Sequence, residues 1–226
     1  MNIRLISILS TSILLTLATA RAEDWLPPLP AWHGDSEALI KAKSHPWVSP
    51  AELSGLKESP DYNTTIAYLR KLVDSSDLLE MEQFGTSAQG RALYLVKASA
   101  ALHKIAQNPQ RPLLLVQAGI HSGEIDGKDA GLMLLRDIAH GDKAKLLANA
   151  DLLFIPVFSA DGHERRSATN RMNQRGPVLQ GWRATAQNLN LNRDYSKADA
   201  PEMQALLGVL NKYQPDLYID VHVTDG

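Results

Sequence analysis

The sequence predicts an α/β fold, in which strands and helices alternate along the chain. Two kinds of pattern indicate this class. Short apolar runs bounded by turn residues, such as 112–116, are typical of buried strands, and apolar residues spaced three or four positions apart, as in 130–138, are typical of amphipathic helices. Because sites in open α/β sheets form beyond the carboxyl ends of the strands, residues directly after the apolar runs are the first candidates for function.

The predicted elements follow one another in chain order. Ile66, Leu69 and Leu72 have helical spacing and predict a helix over 63–73. Strand-like runs on either side of a turn at 85–90 predict a hairpin over 78–97. Residues 159–200 show little periodicity, and so long an irregular segment within a domain is usually functional or disordered. The other predicted elements are a strand over 112–116, helices over 126–140 and 143–150, a strand over 152–158, a helix over 200–213 and a strand over 216–222.

Composition limits the class of protein. The 226 residues are enough for one domain with a sizeable core, and the net charge of −2 gives no indication of a nucleic-acid partner. A basic start, an apolar run over 5–17 and small-x-small cleavage patterns at 18–20 and 20–22 predict a secretory signal peptide over 1–22. We therefore expect an exported protein, in the bacterial periplasm or the extracellular space, without stable membrane insertion after cleavage. An irregular arm rich in Pro and Trp over 23–54 and a domain over 55–226 follow.

The most informative stretch is the turn after the predicted strand 112–116. It contains His121 and Glu124, three residues apart and flanked by glycines, directly before a predicted helix. The chain has no cysteine, so a metal site here must use imidazoles and carboxylates. Catalytic zinc typically has three protein ligands and an open position for water. His222, at the end of the predicted strand 216–222, is the candidate third ligand; an ordinary tight turn with incidental charge is the alternative.

Four stretches, taken together and in this order, resemble the zinc metallocarboxypeptidase family, the carboxypeptidase A-like enzymes. The resemblance covers residues 55–226. Each motif alone is modest, but the ordered set is specific. The stretches are Gly85-x-Ser87-x-x-Gly90-Arg91; Gly119-Ile-His121-Ser-Gly-Glu124; Ala160-Asp161-Gly162 with Asn170-Arg171; and Leu191-Asn192-Arg193-Asp194, which leads to Ile219-Asp-Val-His222.

The resemblance implies a central mixed sheet with helices on both faces, and hydrolysis of the C-terminal bond of a peptide or protein substrate. Asn192 and Arg193 are expected to bind the terminal carboxylate of the substrate, a role that suits a guanidinium fork and an amide donor. The family also uses an arginine to stabilise the oxyanion of the intermediate, and here Arg175 is the first candidate and Arg171 the second. The implied Zn²⁺ ligands are His121, Glu124 and His222.

Two departures from the family pattern bear on activity. Where the family has an aspartate that bonds the first zinc histidine, this chain has Asn190, whose side-chain carbonyl can accept the imidazole N–H without a charge. The general-base glutamate of the family lies well beyond the third ligand, and no residue of this sequence matches it; Glu164 and Glu202 are explained by solvation and helix capping. We therefore expect the N-terminal part of a longer enzyme, with weak zinc binding and little or no turnover. A zinc deacylase of N-acyl amino acids and a non-catalytic peptide-binding protein are the alternatives.

Overall fold

The computed structural model describes residues 33–106 and 110–223. The predicted signal peptide over 1–22 and the first part of the predicted arm lie outside the described residues. Among the described residues, no helix has the length and apolar character that a bilayer-spanning segment needs. The helices are α1 Pro50–Leu53, α2 Tyr62–Val73, α3 Asp126–His140, α4 Ala160–Glu164 and α5 Pro201–Tyr213, and the strands are β1 Leu79–Thr86, β2 Ala92–Ala98, β3 Leu113–Ala118, β4 Asp151–Ile155 and β5 Leu217–Val221.

The five strands form one mixed sheet in the order β1-β2-β4-β3-β5. The predicted hairpin is the antiparallel pair of β1 and β2, and β2 is also antiparallel to β4. Strand β3 is parallel to both β4 and β5, and its last residue, Ala118, is paired with Val221, the last residue of β5. The carboxyl ends of β3 and β5 therefore meet at the same edge of the sheet.

Helices cover both faces of this sheet, as the resemblance implies. On one face α5 packs Met203, Leu206 and Val209 against the strands, in a cluster with Leu115 and Ile155. On the other face α2 and α3 pack against Val96 and Phe154, through Ile66, Leu69, Leu72, Leu132, Leu135 and Ile138. Burial of apolar side chains on both sides holds the sheet rigid and fixes where its strands end.

The helix α3 lies unusually close to the sheet because two of its residues are glycines. A Cβ on Gly131 would overlap the ring of Phe154, and a Cβ on Gly127 would lie 2.7 Å from the Val221 side chain. The start of α3 is therefore held against the end of β5. Because Glu124 directly precedes this helix, the same contact brings Glu124 next to His222.

Three predicted elements differ from the structure. The predicted helix over 143–150 is a 3₁₀ turn, Lys143–Ala148. The predicted strand over 152–158 is β4, which begins at Asp151 and ends at Ile155, directly before Pro156. The residue Pro156 has no backbone N–H to donate to a neighbouring strand. The irregular stretch over 159–200 contains the short helix α4, a 3₁₀ turn at Leu191–Arg193 and an isolated antiparallel bridge between Ser167 and Gln180.

The described part of the N-terminal arm folds onto α3. It contains a 3₁₀ turn at Asp35–Leu39 and the short helix α1, whose N-cap Ser49 forms a capping box with Glu52. The ring of Trp47 stacks on His140 with the ring centroids 3.8 Å apart. The Glu52 carboxylate, 3% exposed, accepts two hydrogen bonds from Nη1 of Arg136. This buried ion pair joins the arm to the middle of α3.

Candidate metal centre

The structure brings the three predicted ligands together. His121 lies three residues beyond the end of β3, and His222 directly follows the end of β5. One ligand atom from each of His121, Glu124 and His222 lies within 4.8 Å of the other two. The two imidazole ring centroids are 5.0 Å apart. The register of β3 with β5 is therefore what joins residues that are about 100 positions apart in sequence.

The turn between β3 and α3 is shaped by local hydrogen bonds. Gly119 has a φ of +72°, a conformation that favours glycine. The hydroxyl of Ser122 donates to the Ser159 carbonyl at 2.8 Å, which ties this turn to the one that follows β4. The Glu124 N–H donates to the His121 carbonyl at 2.9 Å, so the two side chains face one another. The His-x-x-Glu spacing thus produces a converging pair of ligands.

The Glu124 carboxylate contacts both histidines of the cluster. Its Oε1 lies 2.9 Å from His121 Nδ1, and its Oε2 lies 2.9 Å from His222 Nδ1. The backbone N–H of Val223 also donates to Oε2, at 3.2 Å. Burial by itself raises the pKa of Glu124, but the hydrogen bonds from His121, Val223 and His222 outweigh it and hold the pKa at about 2. The carboxylate is therefore ionised at neutral pH and available as an anionic ligand.

The chemistry of this donor set fits zinc. Two imidazole nitrogens and one carboxylate are a ligand set found in catalytic zinc sites, which leave a further position for water or substrate. His121 and Glu124 are 3% and 4% exposed, whereas His222 is more open to solvent. The cluster is thus closed to solvent at His121 and Glu124 and open to solvent at His222, so a molecule from solution can reach it on the side of His222.

Of the two arginine candidates, Arg171 is the one that contacts the cluster. Its Nη1 lies 3.1 Å from Glu124 Oε1, and the residue is 6% exposed. A Cβ on Gly123 would lie 2.7 Å from the Arg171 side chain, so glycine at that position makes room for it. Arg175, the first candidate from the sequence, has a buried Nη2 without a hydrogen-bond partner among the described residues. Arg171, the second candidate from the sequence, is therefore the one with a contact to a candidate ligand among the described residues, and the oxyanion role of either arginine stays a prediction.

The predicted substrate anchors lie on the 3₁₀ turn Leu191–Arg193. Arg193 is exposed and its Nη1 donates to the Asn192 carbonyl at 2.7 Å. The side chain of Asn190 accepts the Asn192 N–H at 3.1 Å and caps this turn. The hydrogen bond that Asn190 could accept from His121 is not formed, because His121 Nδ1 pairs with Glu124 and its Nε2 is buried without a partner in the described ranges. The substrate roles of Asn192 and Arg193 stay predictions.

Other motif residues form the support of the site. The buried Asp161 accepts hydrogen bonds from Ser87 Oγ at 2.7 Å, from the Gln89 N–H at 2.9 Å and from Arg91 Nη1 at 2.7 Å. The first and third motifs are therefore two halves of one network, which ties the β1–β2 turn to α4. The Asn170 side chain donates to the carbonyls of Arg165 and Gln180, and this positions the loop that carries Arg171.

Two glutamates occupy sites that differ from the expectation of solvated or capping residues. Glu164 Oε1 accepts the Tyr62 N–H at 2.9 Å and lies 2.8 Å from His163 Nδ1. Glu202 is completely buried in the first turn of α5, and burial raises the pKa of its carboxyl group. Their hydrogen-bond partners are residues outside the metal cluster.

Sequence reasoning missed Asp220, whose Oδ2 lies 3.0 Å from His222 Nε2. The Asp-x-His spacing at the end of a strand is the signal that could have found it, because residues two positions apart in a strand point to the same side. No local pattern marks Tyr195. This residue lies in the irregular region 159–200, and its hydroxyl donates to Asp220 Oδ2 at 3.2 Å.

Comparison with known proteins agrees with the resemblance. The zinc carboxypeptidase family model (Peptidase_M14) matches residues 65–226. Carboxypeptidase 2 of Trichophyton rubrum is 27% identical over 163 residues, which cover 70% of this chain and 28% of the relative. This chain therefore spans less than a third of the length of that relative.

Solved carboxypeptidases share the fold. Carboxypeptidase A from Helicoverpa armigera matches with a TM-score of 0.58 and 20% identity, over 73% of this chain and 46% of that one. A metallo-carboxypeptidase from Burkholderia cenocepacia matches with a TM-score of 0.59 and 18% identity, over 73% and 41% of the two chains. The predicted α/β class and mixed sheet are confirmed, and the match over most of the sequence leads to one conclusion: the chain belongs to the zinc carboxypeptidase family.

Proposed function

We propose that this chain carries the zinc-binding part of a metallocarboxypeptidase that hydrolyses C-terminal peptide bonds. The observation that carries the proposal is the convergence of His121, Glu124 and His222 at the adjoining ends of β3 and β5. Membership of the zinc carboxypeptidase family supports the choice of metal and of reaction. The activity of the whole protein, its peptide substrate and its exported location are parts of the same proposal, the last supported by the N-terminal sequence pattern.

The residues divide into three roles. His121, Glu124 and His222 would hold the cation; zinc in such a site polarises the scissile carbonyl and lowers the pKa of a bound water. Arg171 would stabilise the developing oxyanion, a role supported by the 3.1 Å contact between its Nη1 and Oε1 of the candidate ligand Glu124. The exposed Arg193, with Asn192, would receive the terminal carboxylate of the peptide. The general base is not among the residues assigned a role here.

Zinc content and hydrolysis test the proposal together. We expect the purified chain to bind one Zn²⁺, and to release the C-terminal residue of a peptide in a reaction that depends on this metal. Addition of a chelator should stop the reaction and added zinc should restore it. The matched control is the same peptide with an amidated C-terminus, which removes the carboxylate that Arg193 would bind.

Three outcomes would contradict the proposal in distinct ways. A chain without stoichiometric zinc would remove the metal assignment. Rapid cleavage of N-acyl amino acids in preference to peptides would favour a deacylase. Peptide binding that calorimetry finds unchanged after zinc removal, with no turnover, would favour a non-catalytic binding protein.

A matched pair of substitutions identifies the arginine that serves the oxyanion. We expect Arg171→Lys to lower kcat/KM by about 100-fold, since loss of one oxyanion donor costs about that much. Arg175→Lys should stay within about threefold of the wild type, because Arg175 does not contact Glu124 among the described residues. Both variants are assayed at saturating zinc, so that altered metal affinity does not mimic a catalytic effect. A larger loss in Arg175→Lys would restore Arg175 as the first candidate.

A further inference from the structure

We infer that Asp220 is a positioning residue of the metal centre. It holds the His222 ring so that Nε2 carries the proton and the unprotonated Nδ1 is directed at the cation. Tyr195 and Gln117 in turn hold Asp220. The inference rests on the proposed function, because it requires His222 to be a ligand.

The first support is the position of His222 between two carboxylates. Its Nδ1 lies 2.9 Å from Glu124 Oε2, and its Nε2 lies 3.0 Å from Asp220 Oδ2. A neutral imidazole has one N–H and one lone pair. A carboxylate that is not itself a ligand can only accept, so Asp220 favours a proton on Nε2. In the metal-free structure Nδ1 also makes a hydrogen bond with Glu124. A bound cation would replace the proton of that hydrogen bond, while the Nε2–H bond to Asp220 would raise the basicity of the ligating ring.

The second support is the way in which Asp220 is itself fixed. Gln117 Nε2 donates to Oδ1 at 3.2 Å, and Tyr195 OH donates to Oδ2 at 3.2 Å. Gln117 is the register partner of Asp220 across β3 and β5, and it is fully buried. The single hydroxyl proton of Tyr195 goes to Asp220, so the Tyr195 oxygen accepts from Tyr218, 2.6 Å away. Burial raises the pKa of both tyrosines, so both hydroxyls stay protonated as donors.

The third support is the contrast with His121. The Nε2 atom of His121 is buried and has no hydrogen-bond partner among the described residues. Asn190, which the resemblance places beside it, caps a 3₁₀ turn instead. Of the two histidines in the cluster, His222 is therefore the one whose Nε2 contacts a carboxylate among the described residues. The orientation of His222, the more exposed ligand, depends on a chain of hydrogen bonds that joins β3, β5 and the loop of Tyr195.

The test compares zinc affinity across a graded series, measured by competition with a chelator of known affinity. Asp220→Ala is expected to weaken zinc binding by about 10- to 100-fold, the usual cost of losing such a partner. Asp220→Asn should lose less, because its carbonyl can still accept, and Tyr195→Phe should lose a few-fold. Asp216→Asn is the control: Asp216 precedes β5 and accepts the Leu113 N–H at 2.8 Å, away from the cluster.

A second readout reports the ring directly. In the zinc-loaded protein, ¹⁵N–¹H NMR should show a slowly exchanging Nε2–H signal from His222, which disappears in Asp220→Ala and persists in Asp216→Asn. If Asp220→Ala fails to fold, zinc affinity and the Nε2–H signal are measured in Asp220→Asn and Tyr195→Phe, and these two variants test the positioning role instead.

The outcomes separate this inference from the proposed function. If the wild type binds zinc, His121→Ala does not, and the Asp220 variants match the wild type within twofold, the positioning role is overturned and the function stands. If the wild type binds no zinc, both are overturned. Weakened binding with an unchanged Nε2–H signal would also overturn the role, because the loss would then have another cause.

Discussion

The substitution Glu124→Gln is expected to lower zinc affinity by well over about 100-fold, beyond the range typical of changes outside the ligand sphere. The amide keeps the shape of the side chain but removes the anionic ligand. It also replaces one of the two acceptor oxygens by an NH2 group, so that either His121 and Arg171, which contact Oε1, or His222 and Val223, which contact Oε2, lose their acceptor. The buried Arg171 guanidinium would then face the cation without the charge of Glu124 between them. Chelator competition measures the change.

The chain offers a close control for this experiment. Glu164 also accepts a backbone N–H and also pairs with a histidine Nδ1, but its partners are Tyr62 and His163 rather than the cluster. Glu164→Gln should therefore leave zinc affinity within about twofold of the wild type, while perturbing a similar local network. Equal zinc content in wild type and Glu124→Gln would remove Glu124 from the ligand set and would contradict the proposed zinc site of His121, Glu124 and His222.

The second large effect is expected on stability. Glu52→Gln should lower the free energy of unfolding by about 3 kcal/mol, because it removes one of the two carboxylates that pair with the buried Arg136 and leaves Asp137, 2.8 Å from Arg136 Nε, as the other. Arg136 Nη1 donates to both Glu52 oxygens at 2.7 and 2.6 Å, and Arg136 itself is 1% exposed. Urea unfolding followed by circular dichroism measures the loss. The double variant Glu52→Leu with Arg136→Met should recover only part of it, since it removes both charges of this pair but takes from the buried Asp137 the Arg136 Nε–H that lies 2.8 Å away.

The same pair predicts a pH dependence. Burial raises the pKa of Glu52, but donors from Lys41, Arg136 and Ser49 together lower it below the ordinary value of 4.5. A carboxyl group whose pKa is lower in the folded state stabilises the fold above its unfolded pKa, and this contribution disappears as the pH falls through the folded pKa. The wild type should thus lose stability on acidification from about pH 5, and Glu52→Gln should lose less.

An exposed ion pair is the control for this effect. Asp142 and Lys145 are 3.3 Å apart, with side chains 71% and 69% exposed. Asp142→Asn should leave the free energy of unfolding almost unchanged, because exposed pairs contribute little. If Glu52→Gln were no more costly than Asp142→Asn, the arm would not be docked on α3 through this ion pair.

Local patterns in the sequence were sufficient for most of the regular elements and for the three candidate metal ligands. The hairpin over 78–97 and the helix over 126–140 agree closely with β1, β2 and α3, because amphipathic periodicity is a local property. His121 and Glu124 were found for the same reason, since they share one turn. His222 was found because it follows an apolar strand, and strands of one parallel layer end together.

The order of strands and helices, the family and the residue types available to a metal could all be predicted from the primary order. The pairing of distant groups could not: Asp220 and Tyr195 lie beside His222, Arg171 lies beside Glu124, and Glu52 pairs with Arg136, 84 residues away. The difference lies in the range of the forces involved. Periodicity and turn chemistry act over a few residues and are visible in the primary order, whereas hydrogen bonds and ion pairs form wherever the packing of two helical layers on one sheet brings the groups within about 3 Å.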